Sequence, residues 1–314
     1  MDTDRRSLLL AGFYRSLLRL SRWKRDLRLI TRLALEVFVA TGTHTKSINQ
    51  HYGRSNLTAT ILDSLRAAGK DLDRLTHEAL APVDQFHTRG KPATAELAHL
   101  AKLQPGQRVL DVGGGLGGAA RTLAAEFGCD VTVLDLTEAY CRAGELLTEQ
   151  TGLSAQVRFQ TGNALAMPFA DGEFDVVWSQ HSSMNIEDKE RLYAEMRRVL
   201  KPGGRLALHE IMAGPVQPLY FPVPWAPDPA ISFLRTPEVM RTTIRQAGFD
   251  ELVWVDRSQQ SLDWFRTRTV MAGAAPPLGL HLLLGDLFVP AFRNQVQNLA
   301  EDRVRIIQAI YART

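Results

Sequence analysis

Cysteine is scarce in this chain: Cys129 and Cys141 are the two among 314 residues. Two cysteines cannot build a disulfide framework or a metal cluster, so we expect buried or incidental thiols, a reducing cytoplasm and no metal site. Hydrophobic residues make up 45% of the chain and charged residues 23%. These fractions lie near the average of globular proteins and exclude wholesale disorder.

The chain also has little net charge and no long apolar run. Its formal net charge is only +3, and much of the excess lies in the first thirty-odd residues. The body of the protein therefore lacks the electrostatic footprint of a DNA- or RNA-binding protein, and we expect no nucleic-acid partner. No apolar run is long enough to span a bilayer. The length suits one core domain of common size with additions.

The amino-terminal segment is the most unusual part of the chain. From Arg5 to Arg32 it carries nine Arg and Lys against one acid, Asp26, interleaved with leucines. Such a basic amphipathic stretch could lie on an anionic membrane surface or act as a targeting arm. It could equally pack on the body as a helix or form a disordered extension. We treat residues 1–46 as an extension, with peripheral membrane contact through residues 5–32 as one hypothesis.

A nucleotide-binding pattern follows in the middle of the chain. Residues 109–118 read Val-Leu-Asp-Val-Gly-Gly-Gly-Leu-Gly-Gly, and residues 132–136 read Thr-Val-Leu-Asp-Leu. Glycines let the backbone turn tightly after a strand, and Asp135 at the end of the second strand could accept hydrogen bonds from two ribose hydroxyls. Asp111 would repel a pyrophosphate but would suit a ligand with a positively charged amino group. The pattern favours an adenosine derivative and points away from NAD, although the glycine spacing also fits a dehydrogenase.

The region from Asp84 to Phe249 resembles the class I S-adenosylmethionine-dependent methyltransferases. Beyond the glycine turn, the matching segments are Gly162-Asn163-Ala164, a fourth strand at Phe174–Gln180, and a helix end, turn and fifth strand at Val199–Leu208. The chain is similar to the small-molecule enzymes of this group, the sarcosine/dimethylglycine N-methyltransferases and the ubiquinone/menaquinone methyltransferase-like proteins. The resemblance implies an α/β fold: a Rossmann-like sheet with helices on both faces, a helical amino-terminal cap and a lid insertion.

The resemblance also implies which residues bind S-adenosylmethionine. Asp111 and the glycine turn would hold its methionine end and Asp135 its ribose. Asn163 stands where relatives usually have Asp beside the adenine, and an amide can still bond to the adenine edge. Residues 84–90 resemble a segment that borders the cofactor carboxylate and the substrate entrance, with ordinary loop solvation as the alternative. The expected cofactor-binding set is Gln85, His87, Asp111, Gly113, Gly115, Asp135, Leu136, Asn163, Ala164 and Gln180.

Methyl transfer requires few catalytic groups, because a sulfonium methyl is already activated and a base is needed only when the nucleophile has a proton to lose. Related enzymes often have a His base after the fourth strand, and that position is Asn185 here. His181, at the strand exit, is therefore the candidate base, with a structural role as the alternative. Glu210, after the fifth strand, is expected to orient the substrate or supply a counter-charge. His209 alternates to the other side of this strand, so only one of these two should be functional.

The remaining segments suggest the domain organisation. We expect a helical cap over residues 47–92 and the cofactor-binding domain over residues 93–314, with a lid at about 214–236 that is too rich in proline for a long helix. The carboxy-terminal helices are expected to be structural or dimer-forming, and the superfamily pattern places an antiparallel hairpin at the end of the chain. Three aromatic residues of the lid could wall a pocket or simply pack the lid: Tyr220, Phe221 and Trp225.

Three functional hypotheses remain at this level. The favoured one is a cytoplasmic enzyme that methylates a small molecule, with N-methylation of an amine or amino acid ahead of O-methylation. The second is a quinone-type C-methyltransferase at a membrane surface, which the basic amino terminus would suit. The third is a cofactor-binding partner subunit without catalysis, which Asn163 and Asn185 suggest.

Overall fold

The computed structural model describes Ile48, His51, residues 56–270 and residues 278–314. The basic segment between Arg5 and Arg32 lies outside the described residues, and so does the whole of the expected extension over residues 1–46. Within the described part of the chain, no helix has both the length and the apolar character needed to cross a bilayer.

The described helices alternate with strands through most of the chain. Short 3₁₀ turns lie at Leu72–Arg74, Ser183–Asn185, Pro229–Ile231 and Gly285–Leu287. The α-helices are α1 (Leu57–Ala67), α2 (His77–Asp84), α3 (Gly90–Ala101), α4 (Gly118–Phe127), α5 (Glu138–Gln150), α6 (Lys189–Val199), α7 (Pro237–Gln246), α8 (Ser258–Val270), α9 (His281–Leu284) and α10 (Phe288–Ala300).

Seven strands form a single mixed sheet in the order β3-β2-β1-β4-β5-β7-β6. The first five strands pair in parallel, whereas β7 is antiparallel to both β5 and β6. The antiparallel carboxy-terminal hairpin and the fourth strand are confirmed. The strands are β1 (Arg108–Val112), β2 (Asp130–Asp135), β3 (Val157–Thr161), β4 (Phe174–Gln180), β5 (Leu200–Ala213), β6 (Phe249–Asp256) and β7 (Val304–Arg313).

Helices cover both faces of this sheet. Because alternate residues of a strand point to opposite faces, the buried strand side chains divide into two cores. Val177 and Leu208 lie in the core that includes residues of α6 and α7, and the adjacent Trp178 lies in the core with α3 and α4. The predicted Rossmann-like architecture with helices on both faces is therefore confirmed.

The strand order places a crevice at the carboxyl ends of β1 and β4. The connections reverse direction between these two strands, and ligands of open α/β sheets bind at such a switch point. The register puts Asp111 of β1 opposite Trp178 of β4, and Gln180 of β4 opposite His209 of β5. Polar residues of three neighbouring strands thus lie near the carboxyl ends of β1 and β4.

The cap and lid expected from the sequence correspond to two stretches of the described residues, and their roles stay predictions. Buried leucine and isoleucine side chains of α1 cluster with Tyr140 and Leu147 of α5. The expected boundary after residue 92 falls inside α3, so the cap continues into the domain without a break in the helix. Residues 214–236 contain only the short 3₁₀ turn and an isolated bridge between Val223 and Ala226, and the lid therefore has no long helix, as its prolines predict.

Candidate active site

The turn between β1 and α4 requires glycine. Gly113, Gly115 and Gly117 have φ values of 74°, 56° and 77°, which side chains rarely adopt. A Cβ atom on Gly113 would lie 2.4 Å from Ser182 Cβ, so this glycine also permits close contact with the segment after β4. The turn leads into the amino terminus of α4, whose main-chain N–H groups favour a negatively charged or hydrogen-bond-accepting ligand group.

Asp111 is the most unusual charged residue at this turn. Its side chain is buried, and Oδ2 has no hydrogen-bond partner in the described part of the structure. Burial and, secondarily, the nearby Asp135 raise the pKa of Asp111 to about 7. A buried carboxylate without a partner is costly, and a cationic ligand group would lower that cost. The site therefore fits a ligand that carries an ammonium group next to the glycine turn.

Asp135 ends β2 and is tied to the glycine turn. Its Oδ2 accepts a hydrogen bond from the Gly115 N–H at 2.9 Å, and its Oδ1 accepts one from the Thr137 N–H at 2.8 Å. Burial raises the pKa of Asp135. Each carboxylate oxygen can accept a further bond, so the residue can still bind hydroxyl groups. Leu136, the next residue, packs against the cluster that contains the lid.

Asn163 lies on the β3 side of the same crevice. The Gly162 N–H donates to the Asp135 main-chain oxygen at 2.9 Å, which brings this segment to the end of β2. Asn163 is exposed, and its Oδ1 accepts from the Leu165 N–H at 2.8 Å. The neighbouring Ala164 is half-buried and packs at the edge of the core. Asn163 Oδ1 thus stabilises its own turn.

The segment between α2 and α3 is buried, and polar side chains around it approach the hydroxyl group of Thr94. Thr94 Oγ1 lies 3.2 Å from Gln85 Oε1, 3.0 Å from His87 Nε2 and 3.1 Å from Gln180 Oε1. Gln85 also donates to Thr122 Oγ1 at 3.1 Å. The two predicted ligands Gln85 and His87 therefore belong to an internal polar network, and their side chains hold the segment against α3 and α4.

Gln180 joins this network to the crevice. Its Oε1 accepts from the indole N–H of Trp178 at 2.9 Å. Its Nε2 is buried and has no partner among the described residues. This amide nitrogen is consequently a hydrogen-bond donor available to a ligand at the carboxyl end of β4.

His181 follows Gln180 and has a left-handed backbone with φ of 50°. Its Nδ1 accepts from the Thr88 N–H at 3.4 Å, and its buried Nε2 has no partner among the described residues. Because Nδ1 accepts, a neutral ring carries its proton on Nε2. Burial, assisted by His209 and His87, lowers the pKa of His181 well below its ordinary value. In this arrangement Nε2 of a neutral ring is a donor, and the base role expected for His181, with a structural role as its alternative, stays a prediction.

His209 and Glu210 point to opposite faces of β5, as the strand alternation predicts. His209 Nε2 donates to the Thr88 main-chain oxygen at 3.1 Å, on the His181 side. Glu210 is fully buried on the other face, where Oε1 accepts from Ser179 Oγ at 2.6 Å and Oε2 accepts from Ser183 Oγ at 2.8 Å. Glu210 thus contacts the turn after β4 from the face of the sheet opposite His209. A role as orienter agrees with this position better than direct contact with a substrate.

The lid aromatics have different environments. Trp225 is buried, and its indole N–H donates to Ser232 Oγ at 2.9 Å, whereas Phe221 packs at the edge of the same apolar cluster. Tyr220 is exposed and lies under the guanidinium of Arg303, 4.2 Å from the ring centroid. The three residues therefore do not form one wall.

Sequence reasoning missed Thr88, Thr94 and the serines around His181. Thr88 and Thr94 have no motif of their own, because their contacts are made across the fold. The signal for the serines was the run Ser179-Gln180-His181-Ser182-Ser183, which consists of five consecutive polar residues at the end of β4. Two of these serines contact Glu210, which explains how an acid can be buried there.

Residues 110–208 match the protein family described as methyltransferase domain. This stretch, about a third of the chain, is similar to a methyltransferase domain. It runs from the middle of β1 into β5 and includes the glycine turn, Asp135 and His181. The site described above is therefore centred in this domain.

Related proteins carry out several kinds of methyl transfer. The glycine/sarcosine/dimethylglycine N-methyltransferase of Actinopolyspora halophila is 36% identical over 42% of this chain and 23% of its own length. The sarcosine/dimethylglycine N-methyltransferase of Halorhodospira halochloris is 33% identical over 51% of this chain and 57% of its own length. A sterol 24-C-methyltransferase of Gibberella zeae is 40% identical over 36% of this chain and 30% of its own length. The chain thus spans less than two thirds of each of these relatives.

Solved methyltransferase structures share the fold. Phosphoethanolamine N-methyltransferase 2 of Haemonchus contortus, in complex with S-adenosyl-L-methionine, has a TM-score of 0.63 at 19% identity and covers 86% of this chain and 60% of its own. Geranyl diphosphate C-methyltransferase from Streptomyces coelicolor has a TM-score of 0.62 at 18% identity and covers 86% of this chain and 98% of its own. At these identities the likeness concerns the fold alone.

Proposed function

We propose that this chain binds S-adenosylmethionine at the glycine turn and directs methyl transfer to a small-molecule acceptor. The observation that carries the proposal is the buried Asp111 carboxylate with an unpartnered oxygen beside that turn. The ammonium group at the methionine end of the cofactor would pair with this carboxylate, whereas the pyrophosphate of NAD would be repelled by it. The methyltransferase domain assigned to residues 110–208 supports the same proposal.

The other predicted residues have separate roles in this proposal. Gly113 and Gly115 let the backbone approach the ligand, and Asp135 would accept hydrogen bonds from the ribose hydroxyls. Gln180 Nε2 would donate to a carboxylate or acceptor oxygen. Gln85 and His87 would act indirectly, because their contacts with Thr94 hold the segment that carries Thr88.

A nitrogen acceptor suits the arrangement around His181. When bound, S-adenosylmethionine supplies a methyl group that passes to an acceptor lone pair as its bond to sulfur breaks, leaving S-adenosylhomocysteine. His181 Nδ1 is engaged by Thr88, so the ring offers an N–H for orienting the acceptor and no lone pair for removing a proton. An uncharged amine already has a lone pair and needs no such base, in contrast to a phenol. N-methylation of an amine or amino acid is therefore our preferred reaction.

A second candidate is C-methylation of an apolar acceptor. Apolar side chains from the lid, α8 and α10 cluster with Met184 of the turn after β4, and Leu136 packs at the edge of this cluster. Such surroundings would suit an isoprenoid or quinone ring better than a zwitterionic amino acid. The relatives include a sterol C-methyltransferase as well as N-methyltransferases.

Calorimetric titration of the purified chain with S-adenosylmethionine, S-adenosylhomocysteine and NAD tests the cofactor assignment. We expect binding of the first two and none of NAD. Binding of NAD alone would overturn the proposal. Tight binding of S-adenosylmethionine without turnover on any acceptor would instead favour the partner-subunit hypothesis.

Transfer of a labelled methyl group then separates the acceptor classes. The amine panel would contain sarcosine, dimethylglycine and phosphoethanolamine, and the apolar panel would contain geranyl diphosphate and a ubiquinone precursor, with and without anionic vesicles. Turnover confined to the amines supports N-methylation. Turnover confined to the apolar panel would replace our preferred reaction with C-methylation.

A further inference from the structure

Asn185, where the resemblance to related enzymes leads us to expect a histidine, contacts the lid. Its side-chain Nδ2 donates to the Trp225 main-chain oxygen at 2.9 Å and to the Ile231 main-chain oxygen at 2.8 Å. Trp225 precedes the 3₁₀ segment Pro229–Ile231, and Ile231 is its last residue. The buried side-chain amide of Asn185 therefore holds the lid at two positions, Trp225 and Ile231.

Neighbouring contacts strengthen this attachment. The Phe233 N–H donates to the Met184 main-chain oxygen at 2.8 Å, so the main chain on both sides of the lid turn is fixed to the same segment. Trp225 closes the loop internally through its hydrogen bond to Ser232. The lid residues 223–233 are thus attached to the turn after β4 by two residues, Met184 and Asn185.

The same turn contacts the cofactor loop at its other end. Ser182 lies against Gly113, so closely that a Cβ atom on this glycine would not fit. Ser182 Oγ is 2.7 Å from Ser179 Oγ, and Ser179 in turn donates to Glu210. The turn that carries Asn185 therefore begins at the glycine turn, beside the proposed cofactor.

A buried ammonium group makes this turn rigid. Lys189 is almost completely buried, and its Nζ donates to the main-chain oxygens of Ser183, at 2.5 Å, and Ile186. Glu210 binds the Ser183 hydroxyl from the other side at 2.8 Å. The side chains of Lys189 and Glu210 consequently fix residues 182–186, so that a displacement of Ser182 would also move Asn185.

We propose that Asn185 is a positioning residue that attaches the acceptor lid to the cofactor turn, so that bound cofactor orders residues 223–233. The proposal rests on the proposed function, because it requires the cofactor at Gly113. Asn185 acts on the acceptor side through the lid main chain and takes no part in proton transfer, since its amide protons bond to two carbonyl oxygens. The histidine role of related enzymes is thus replaced by a structural attachment of the lid.

Hydrogen exchange of the full chain, with and without saturating S-adenosylhomocysteine, tests the proposal without knowledge of the acceptor. In the wild-type protein we expect the ligand to slow exchange of residues 223–233. In Asn185→Ala, the ligand should bind with nearly the same affinity by calorimetry but should lose most of this additional protection. The expected difference is at least about tenfold in exchange rate, because the variant removes two hydrogen bonds to main-chain carbonyls and one such bond is worth about that factor.

Asn298→Ala is the matched control. Asn298 of α10 bonds to the main-chain N–H and C=O of Tyr220, in the first half of the lid. Its loss should increase exchange around residues 219–222 while the ligand still protects residues 223–233. Ser182→Gly is a second test that removes the Cβ atom lying against Gly113 and leaves the lid contacts of Asn185 in place. It should keep ligand-free exchange of the lid unchanged and reduce only the ligand-dependent protection.

The outcomes distinguish this proposal from the proposed function. If S-adenosylhomocysteine does not bind, the cofactor assignment fails and the lid proposal fails with it. If the ligand binds but protects residues 223–233 equally in wild type, Asn185→Ala and Ser182→Gly, the attachment has no functional role and only the lid proposal is wrong. Should Asn185→Ala prove unfolded, the Ser182→Gly result decides by itself.

Discussion

The imidazole rings of His181 and His209 lie stacked, with centroids 4.8 Å apart and planes inclined by 5°. The main chain of one residue, Thr88, joins them: its N–H donates to His181 Nδ1 and its oxygen accepts from His209 Nε2. Burial lowers the pKa of both rings well below the ordinary histidine value. A stack of neutral imidazoles thus fixes residues 87–89 over the ends of β4 and β5.

We expect His181→Ala to lower methyl transfer on the order of tenfold or more through loss of one hydrogen-bond donor, with S-adenosylhomocysteine affinity changed by less than about twofold. His181→Asn should recover part of the rate, because asparagine tolerates a left-handed backbone and keeps an N–H donor. Steady-state rates and calorimetry measure both. An unchanged rate in a folded His181→Ala protein would return this residue to a purely structural role.

The tautomer of His181 can be observed directly. Nitrogen NMR of the histidine-labelled protein at pH 7 should report a neutral ring with the proton on Nε2, assigned by comparison with His181→Asn. A proton on Nδ1 would mean that Nε2 is a lone-pair acceptor after all, and the base role predicted from the sequence would be reinstated.

Asp111→Asn should weaken S-adenosylmethionine binding by on the order of 10- to 100-fold, because a charge-assisted hydrogen bond to the ammonium group is lost. Since the pKa of Asp111 is about 7 without ligand, wild-type affinity should rise between pH 6 and pH 8 as the carboxyl loses its proton. The variant should lack this part of the pH dependence. Calorimetry across this pH range measures both effects, and equal affinities of the two proteins would remove Asp111 from the site.

The same substitution should stabilise the ligand-free protein at high pH. The folded pKa of Asp111 lies above the unfolded value near 3.9, so the folded state holds the extra proton between pH 4 and pH 7. Stability from this group is therefore present below pH 4 and is lost as the pH rises through about 7. At pH 8 we expect a higher melting temperature for Asp111→Asn than for wild type, and a lower one would contradict the absence of a partner for Oδ2.

His87 should contribute to acid sensitivity. Burial lowers its pKa from 6.5 to about 4, so between these values the unfolded chain binds a proton that the folded chain does not. The contribution of His87 to the free energy of unfolding is fully present above pH 6.5 and decreases as the pH drops towards 4. At pH 5 the decrease is about 2 kcal/mol for this group alone. Denaturant unfolding at pH 7.5 and pH 5 should show a smaller pH effect in His87→Asn. The surface variant His99→Asn serves as the control, and a slope equal to that of wild type in His87→Asn would count against this assignment.

The ion pair between Asp84 and Arg121 should be important for folding. The two side chains are almost completely buried and 2.8 Å apart, and the guanidinium also donates to Leu116 and Thr148. Asp84→Ala leaves a buried cation and should lower the free energy of unfolding by on the order of 3 to 5 kcal/mol. The exposed pair Arg142–Glu138 supplies the control, Glu138→Ala, which should change stability little. Similar stability of both variants would show that solvent reaches Arg121.

Prediction from the sequence was most successful where chemistry is local. The glycine turn, the acid at the end of β2 and the strand at Phe174–Gln180 are each formed by neighbouring residues, whose conformational preferences and alternation are visible in the sequence. The roles of Gln85, His87 and His181 were less predictable. Their partners Thr94 and Thr88 come from other segments, and a hydrogen-bond network across the fold leaves no periodic signal.

Asn185 is a second example of a residue whose contacts could not be predicted from the sequence. Its position relative to the fourth strand was found by resemblance, and the loss of the family histidine could be inferred from that alone. Its attachment to Trp225 and Ile231 could not, because these residues lie in a proline-rich segment without a regular pattern. The contacts of residues 214–236 are therefore the ones that sequence reasoning described least well.

By itself, the sequence determined the sheet with its glycine turn and the acids at the ends of its first two strands, because glycine freedom, strand alternation and residue spacing act over short distances. Only the tertiary structure decided which nitrogen of His181 contacts Thr88, that Glu210 bonds to Ser179 and Ser183, and that Asn185 bonds to Trp225 and Ile231. Those outcomes depend on which partners the fold brings within hydrogen-bond distance and on how fully it excludes water from them, and neither is encoded by neighbours along the chain.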